Sequence, residues 1–235
     1  MGTVANEQAP LIGLIGGMGS LATIEAYTRL MQALPEKDRH VIVENLPMEN
    51  VFDHLSATTI FSIRGSIQRL STAGVKVVGI PCNTVHCYSS EIEQECSKQG
   101  IRFLSIIEQT TRAVVRRRSQ KAAILATPTG AELYKTAIED AGVGVSLPSK
   151  DEQSQINDVV RAILEDPSPT SLAIARTTLE RIATSQRENG ADTVILGCTE
   201  LPLAFRHDQP MSFISTIDAL VQGFVTEIEN WKVYA

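Results

Sequence analysis

The chain has 235 residues, 43% hydrophobic, 20% charged and only 5% aromatic, the profile of a globular protein long enough to bury a core without staples. A net charge of −6 announces no basic face, which argues against nucleic acid or an anionic membrane as partner. The run Arg116-Arg117-Arg118 reads as the solvated end of a helix, where positive charge suits the negative end of the dipole.

In chain order, short β-branched runs alternate with longer amphipathic stretches. The first apolar run, Leu11 to Ile15, is too short for a leader core or a membrane span and leads into glycines. A cytoplasmic protein with reduced thiols is expected. Strands are predicted at 10–16, 40–46, 75–81, 101–105, 121–127, 144–147, 192–197 and 211–214. Several are apolar almost throughout, as parallel strands covered on both faces are. Helices are predicted at 21–34, 56–73, 89–99, 107–118, 131–141, 151–164, 170–189 and 216–231. Gly74, Gly100, Gly142 and Gly190 stand where helices hand over to strands and suit left-handed C-terminal caps. Asp166-Pro167-Ser168-Pro169 is a connector within the second half. The rhythm predicts an α/β fold, its eight strands falling four and four into two pseudosymmetric lobes, each a mostly parallel four-stranded sheet flanked by helices.

The third strand of each half ends in a cysteine turn: Pro81-Cys82-Asn83-Thr84 and Gly197-Cys198-Thr199-Glu200, with the cysteines 116 residues apart, about half the chain. Ligands of open parallel sheets bind beyond the carboxyl ends of the strands, and both cysteines sit at that edge, so a cleft between the lobes is the expected active site. A thiol after a buried strand meets the positive end of the following helix, which is expected to pull its pKa from about 8.5 toward working pH. Two such thiols on opposite faces of a carbon can remove and return one proton. Taken singly, a cysteine there is as readily a packing residue, and the polar residues after it as readily helix caps; the pairing carries the reading.

With these residues in view, the chain resembles the aspartate/glutamate racemase superfamily, and its aspartate racemases most. The likeness runs through Ile12-Gly-Leu-Ile-Gly-Gly-Met18-Gly-Ser20, Pro81-Cys-Asn-Thr-Val-His86 and Gly197-Cys-Thr-Glu-Leu-Pro202, with support at Ala126-Thr127 and Asp151-Glu-Gln153. It implies a cofactor-independent amino-acid racemase, acting on aspartate or a similar small amino acid, that needs neither pyridoxal phosphate nor a metal and works as a homodimer. Cys82 and Cys198 become the two acid/base thiols. Asn83, Thr84, Thr127, Thr199 and Glu200 become substrate-site residues, with Met18 lining the cleft. The first lobe is then 1–115 with about 213–235, carrying Cys82, and the second 116–212, carrying Cys198.

The chain departs from the family where cationic readers of the substrate side chain are expected: Phe52 and Ser154 stand there. Two alternatives follow, a maleate-type cis–trans isomerase using one cysteine as nucleophile, and a non-catalytic amino-acid-binding protein. Gly16-Gly17-Met18-Gly19 is a tight turn rather than a dinucleotide fingerprint. Cys82-x3-His86-Cys87 lacks the second ligand pair of a zinc site. His86 reads as a turn hydrogen-bonder, and Glu200 equally as an orienter of Thr199 or a helix N-terminal acid. Cys87 and Cys96 read as bystanders, Cys96 partly exposed. His40, His54, His207 and Asp208 read as solvent-facing or loop residues.

Overall fold

The structure, a computed structural model, describes residues 9–47, 56–205 and 208–234, and side chains to 231. Among the described residues eight strands and eight α-helices follow in the order β1 (Ile12–Gly16), α1 (Ser20–Ala33), β2 (Val41–Asn45), α2 (Ala57–Thr72), β3 (Val77–Gly79), α3 (Ser89–Lys98), β4 (Arg102–Leu104), α4 (Ile106–Arg116), β5 (Lys121–Leu125), α5 (Pro128–Asp140), β6 (Gly144–Ser146), α6 (Lys150–Glu165), α7 (Pro169–Glu188), β7 (Thr193–Leu196), β8 (Phe213–Ser215) and α8 (Thr216–Tyr234). They form two all-parallel four-stranded sheets, ordered β2-β1-β3-β4 and β6-β5-β7-β8. The α/β expectation of two four-stranded sheets with flanking helices holds.

Several boundaries moved for local reasons. Helix α5 starts three residues before its expected 131, because the Thr127 side chain accepts from Gly130 N–H and Pro128 takes the first helical position. Strand β3 is shorter than 75–81, Pro81 having no N–H to pair. Short 3-10 helices, which periodicity did not reveal, follow both cysteine turns at Thr84–Tyr88 and Leu201–Phe205. The four helix exits at Gly74, Gly100, Gly142 and Gly190 all have positive φ, as expected. The fifth such exit, after α4, is made by Arg118 at φ 56.

By contact the chain divides into two compact units, one of Met1–Pro81, Tyr88–Ser105 and Leu220–Ala235, the other of Cys82–Cys87 and Ile106–Ala219. In the first, β1 is wholly buried at the sheet centre, pairing Ile12 with Val41 on one side and Val77 on the other. Helix α8 approaches β3 so closely that a Cβ at Gly79 would lie 2.8 Å from the Phe224 ring. In the second, β5 and β7 form the apolar centre, with α6 closed by a capping box of Ser149 and Glu152. The Cys82–Cys87 turn goes with the second unit, to whose residues it hydrogen-bonds as described below. Strand order still makes β3 and β7 equivalent, so the two cysteines leave corresponding strands.

Candidate active site

Seven of the eight expected site residues, Cys82, Asn83, Thr84, Thr127, Cys198, Thr199 and Glu200, fall in the second unit, all buried. Met18 does not join them there: it is buried in the first unit, in the turn between β1 and α1. Phe52, His54 and His207 lie outside the described residues. His40 is exposed as expected. Asp208 accepts from Arg176, and Cys96 proves buried rather than partly exposed, because Ile92, Glu95 and Cys96 share the inner face of α3.

The turn after β3 is built around His86. Its Nδ1 lies 2.8 Å from the Cys82 carbonyl, and its Nε2 lies 3.2 Å from the Ile106 N–H that opens α4. A backbone N–H can only donate, so Nε2 accepts, Nδ1 carries the proton and donates to Cys82 O, and the ring is neutral. Burial lowers its pKa to about 4, against the pull of the Cys82 carbonyl. With both nitrogens engaged, the imidazole has no lone pair for a metal or for proton transfer. The turn reading of His86 holds, and the bond to α4 is added to it.

Burial pushes the Cys82 thiol up to about 12, while hydrogen bonds from the backbone of Val85 and Thr84 oppose it and the Glu200 charge adds to it. Cys198 is raised well above its ordinary value, by burial first and then by the Glu200 charge. The expectation that the turns would draw both thiols toward neutrality is therefore corrected. Backbone donors are present at Cys82, but desolvation outweighs them, and the Glu200 charge works on the same side.

The turn after β7 is built around Glu200. Its Oε2 accepts from the Cys198 thiol at 2.9 Å and the Thr199 hydroxyl at 3.2 Å. Burial raises the Glu200 pKa, though these donors pull it down. Of the two sequence readings of Glu200, orientation of Thr199 is the one seen, and the contact with the thiol comes with it. Cys82 in turn raises Cys198 electrostatically, so both thiols and this carboxylate share one field. Gly197 precedes the cysteine because nothing larger fits: a Cβ there would lie 2.8 Å from Ala126 Cβ and 3.2 Å from the Tyr134 ring.

The remaining polar groups interlock. Thr127 Oγ1 caps α5 and stands 3.4 Å from the Thr84 hydroxyl. Asn83 Oδ1 accepts from the Tyr134 hydroxyl at 2.6 Å, and Asn83 Nδ2 donates to Thr216 Oγ1 at 3.4 Å. Gln153 Nε2 donates to the Ala126 carbonyl and to Asn157 Oδ1, whereas Ser154 faces out from α6. Tyr134 and Thr216 were missed from sequence; a tyrosine inside an amphipathic helix carries no signal of which polar partner it will meet. Among the described residues no group of three His, Cys, Asp or Glu is arranged to hold a metal ion.

The Asp/Glu/Hydantoin racemase family profile matches residues 12–223. A broad specificity amino-acid racemase, RacX, of Bacillus subtilis (strain 168) is 28% identical over 225 residues, covering 89% of this chain and 92% of its own. A glutamate racemase of Deinococcus radiodurans is 28% identical, over 84% of this chain and 67% of its own. Among solved structures, an aspartate racemase homologue from Pyrococcus horikoshii OT3 superimposes with a TM-score of 0.77 at 21% identity, covering 94% of this chain and 99% of that one. The Picrophilus torridus aspartate racemase gives 0.72 at 18% identity, over 96% and 99%. These structures share the two-sheet fold. The profile match spans both cysteine turns, and the chain belongs to the Asp/Glu/Hydantoin racemase family, by class an isomerase.

Proposed function

We propose that the protein is a cofactor-independent racemase of aspartate or a similar small amino acid, using Cys82 and Cys198 as its two bases. The observation that carries the reading is that both thiols lie in one unit under the charge of a single carboxylate, Glu200, with Cys198 donating to it. A buried thiol cannot ionise alone at low cost. Moving its proton 2.9 Å to Glu200 creates no new charge; it relocates one, and the raised pKa of Glu200 makes it a fit acceptor. The Cys198 thiolate so formed removes the α-proton from one face of the substrate. The Cys82 thiol delivers its proton to the other, leaving Cys82 as the thiolate. The reverse reaction starts from that state, and the pair is reset when Cys82 takes a proton from solvent and Glu200 releases to solvent the one it holds, with no net proton gained. Negative charge gathering on the substrate carboxylate calls for nearby donors, a role suited to Asn83, Thr84 and Thr199, with Thr127 supporting Thr84.

The side-chain end is less acid-specific than in a dedicated dicarboxylate enzyme: Gln153, rather than Ser154, points from α6 toward the end of β5. Met18 belongs to the same reading as a contributor from the first unit, and so does the lobe division at residue 115 with the chain end returning from about 213. A homodimer accords with the exposed Ile24, Tyr27 and Phe61 of the first unit, Phe61 being 79% exposed. A cytoplasmic setting accords with four cysteines that form no disulfide; among the described residues no helix is long and apolar enough to cross a membrane.

The test is α-proton exchange in deuterated water, screened by NMR over single enantiomers without added cofactor. One enantiomer should yield both, each carrying α-deuterium, and Cys82→Ser or Cys198→Ser should cut racemisation by about 10²–10⁴-fold. No exchange with any amino acid overturns the reading. A persistent covalent adduct with an unsaturated diacid assigns the maleate-type chemistry instead, and calorimetric binding without exchange assigns a binding protein.

A further inference from the structure

Tyr134 is a fully buried side chain on α5, neighbouring neither cysteine in sequence. Its two ends touch the two cysteine turns. The hydroxyl donates to Oδ1 of Asn83, the residue after Cys82, at 2.6 Å. The ring flanks Gly197, the residue before Cys198, so closely that a Cβ there would meet two ring carbons at 3.2 Å. Thr216, at the start of α8, accepts from Asn83 Nδ2 at 3.4 Å. Tyr134 to Asn83 and Asn83 to Thr216 thus form a chain of bonds that run the same way, an arrangement whose members strengthen one another. Thr110 buttresses it, its oxygen 3.3 Å from the phenol while its own proton goes to the Ile106 carbonyl. Burial keeps the phenol protonated, hence a donor.

We infer that Tyr134 is a positioning residue that sets the spacing of the two thiols and the orientation of the Asn83 amide. Because the phenol occupies Oδ1, the amide presents nitrogen, with one hydrogen to Thr216 and, on the racemase reading, the other for the substrate carboxylate. Because the ring bears on Gly197, any loosening of the phenol reaches both turns. A two-base proton transfer depends steeply on such spacing, since a displacement of about 1 Å can cost about 10²-fold in rate.

The inference rests on the racemase reading above, and its test separates the two. Steady-state racemisation is measured in both directions for the parent, Tyr134→Phe and Thr216→Val, below the unfolding midpoint of each, with folding checked by near-ultraviolet dichroism. The phenylalanine keeps the aromatic ring against Gly197 and removes the hydroxyl that holds Asn83. It is expected to lower kcat by about ten- to a hundredfold, with KM within about twofold. Thr216→Val removes the acceptor of the Asn83 amide without touching Tyr134 and should lower kcat in the same way by a smaller factor, which keeps the inference testable should the tyrosine variant not fold. A purely structural role would lower the midpoint and leave kcat of the folded enzyme unchanged. Variants folded with parental kcat overturn the positioning role alone. A parent that exchanges no α-proton overturns the racemase reading, and the positioning role with it.

Discussion

The turns after β3 and β7 leave corresponding strands and both run into a five-residue 3-10 helix, yet opposite kinds of group titrate beside them. Beside Cys82 sits a neutral histidine with a lowered pKa; beside Cys198 sits a carboxylate with a raised one. The two pull stability in opposite directions. A histidine lowered from 6.5 to about 4 binds fewer protons folded than unfolded, so its contribution is whole above 6.5 and is lost as pH falls toward 4. A glutamate raised above 4.5 binds more protons folded, so its contribution is whole below 4.5 and is lost as pH rises through the folded value. Matching backbones therefore carry unequal surroundings: backbone donors surround the thiol of the first turn, and the thiol of the second donates to a carboxylate.

Removing the charge from the second turn breaks that contrast most. Glu200→Gln keeps an oxygen to accept from Cys198 and Thr199 but not one that takes a proton. The Glu200 charge raises both thiols, so in the variant thiolate absorbance should appear at lower pH for both cysteines. Racemisation should nonetheless fall by about 10²-fold, the share of a lost general base. The fold should become more stable at neutral pH, since an ionised group no longer has to be buried. Thiolate that appears at unchanged pH would mean that Glu200 does not govern the pair. Activity retained in full would mean that Cys198 sends its proton elsewhere.

The first turn is tested through acid. His86→Gln should remove the histidine-linked part of the acid sensitivity, about 3 kcal/mol between pH 6.5 and pH 4 at 1.36 kcal/mol per unit. Near pH 7 it should cost about 1–2 kcal/mol for the bonds to Cys82 O and Ile106 N. Urea unfolding of parent and variant across this range gives the difference directly, with other acid-labile groups common to both. Parallel curves would place the protonation of His86 outside folding, for instance in a fold that admits water beside the ring.

The backbone frame was largely legible in the sequence. Apolar strands and helix-exit glycines are local signals, and the four glycines named are found at helix exits with positive φ. The cysteine pair was legible because it recurs at one place in two halves. The sign of the thiol shifts was not, since a turn's donors can be read from local residues but depth of burial cannot. Nor could sequence join Tyr134, Asn83 and Thr216, polar residues from three distant elements that meet only after the helices pack. The bond from Gln153 to the Ala126 carbonyl was hidden for a related reason, since it joins α6 to the end of a strand far away in sequence.

The smallest expected effect separates stability from chemistry at these turns. Helix α4 begins at Ile106, whose N–H holds His86, and its exit is Arg118 at φ 56, where four comparable exits use glycine. A side chain in that region costs about 1–2 kcal/mol, part of which glycine returns through the greater freedom of its unfolded chain. The backbone bond from Arg118 N to the Val115 carbonyl survives the change. Arg118→Gly should therefore stabilise the fold by about 0.5–1 kcal/mol in urea unfolding while leaving thiol titration and racemisation as they are. If it stabilises the fold and also shifts the thiols, α4 transmits tension from its exit to the Cys82 turn, and the two turns differ by mechanical load as well as by charge. If only stability changes, the contrast between the turns is electrostatic, set by His86 and Glu200.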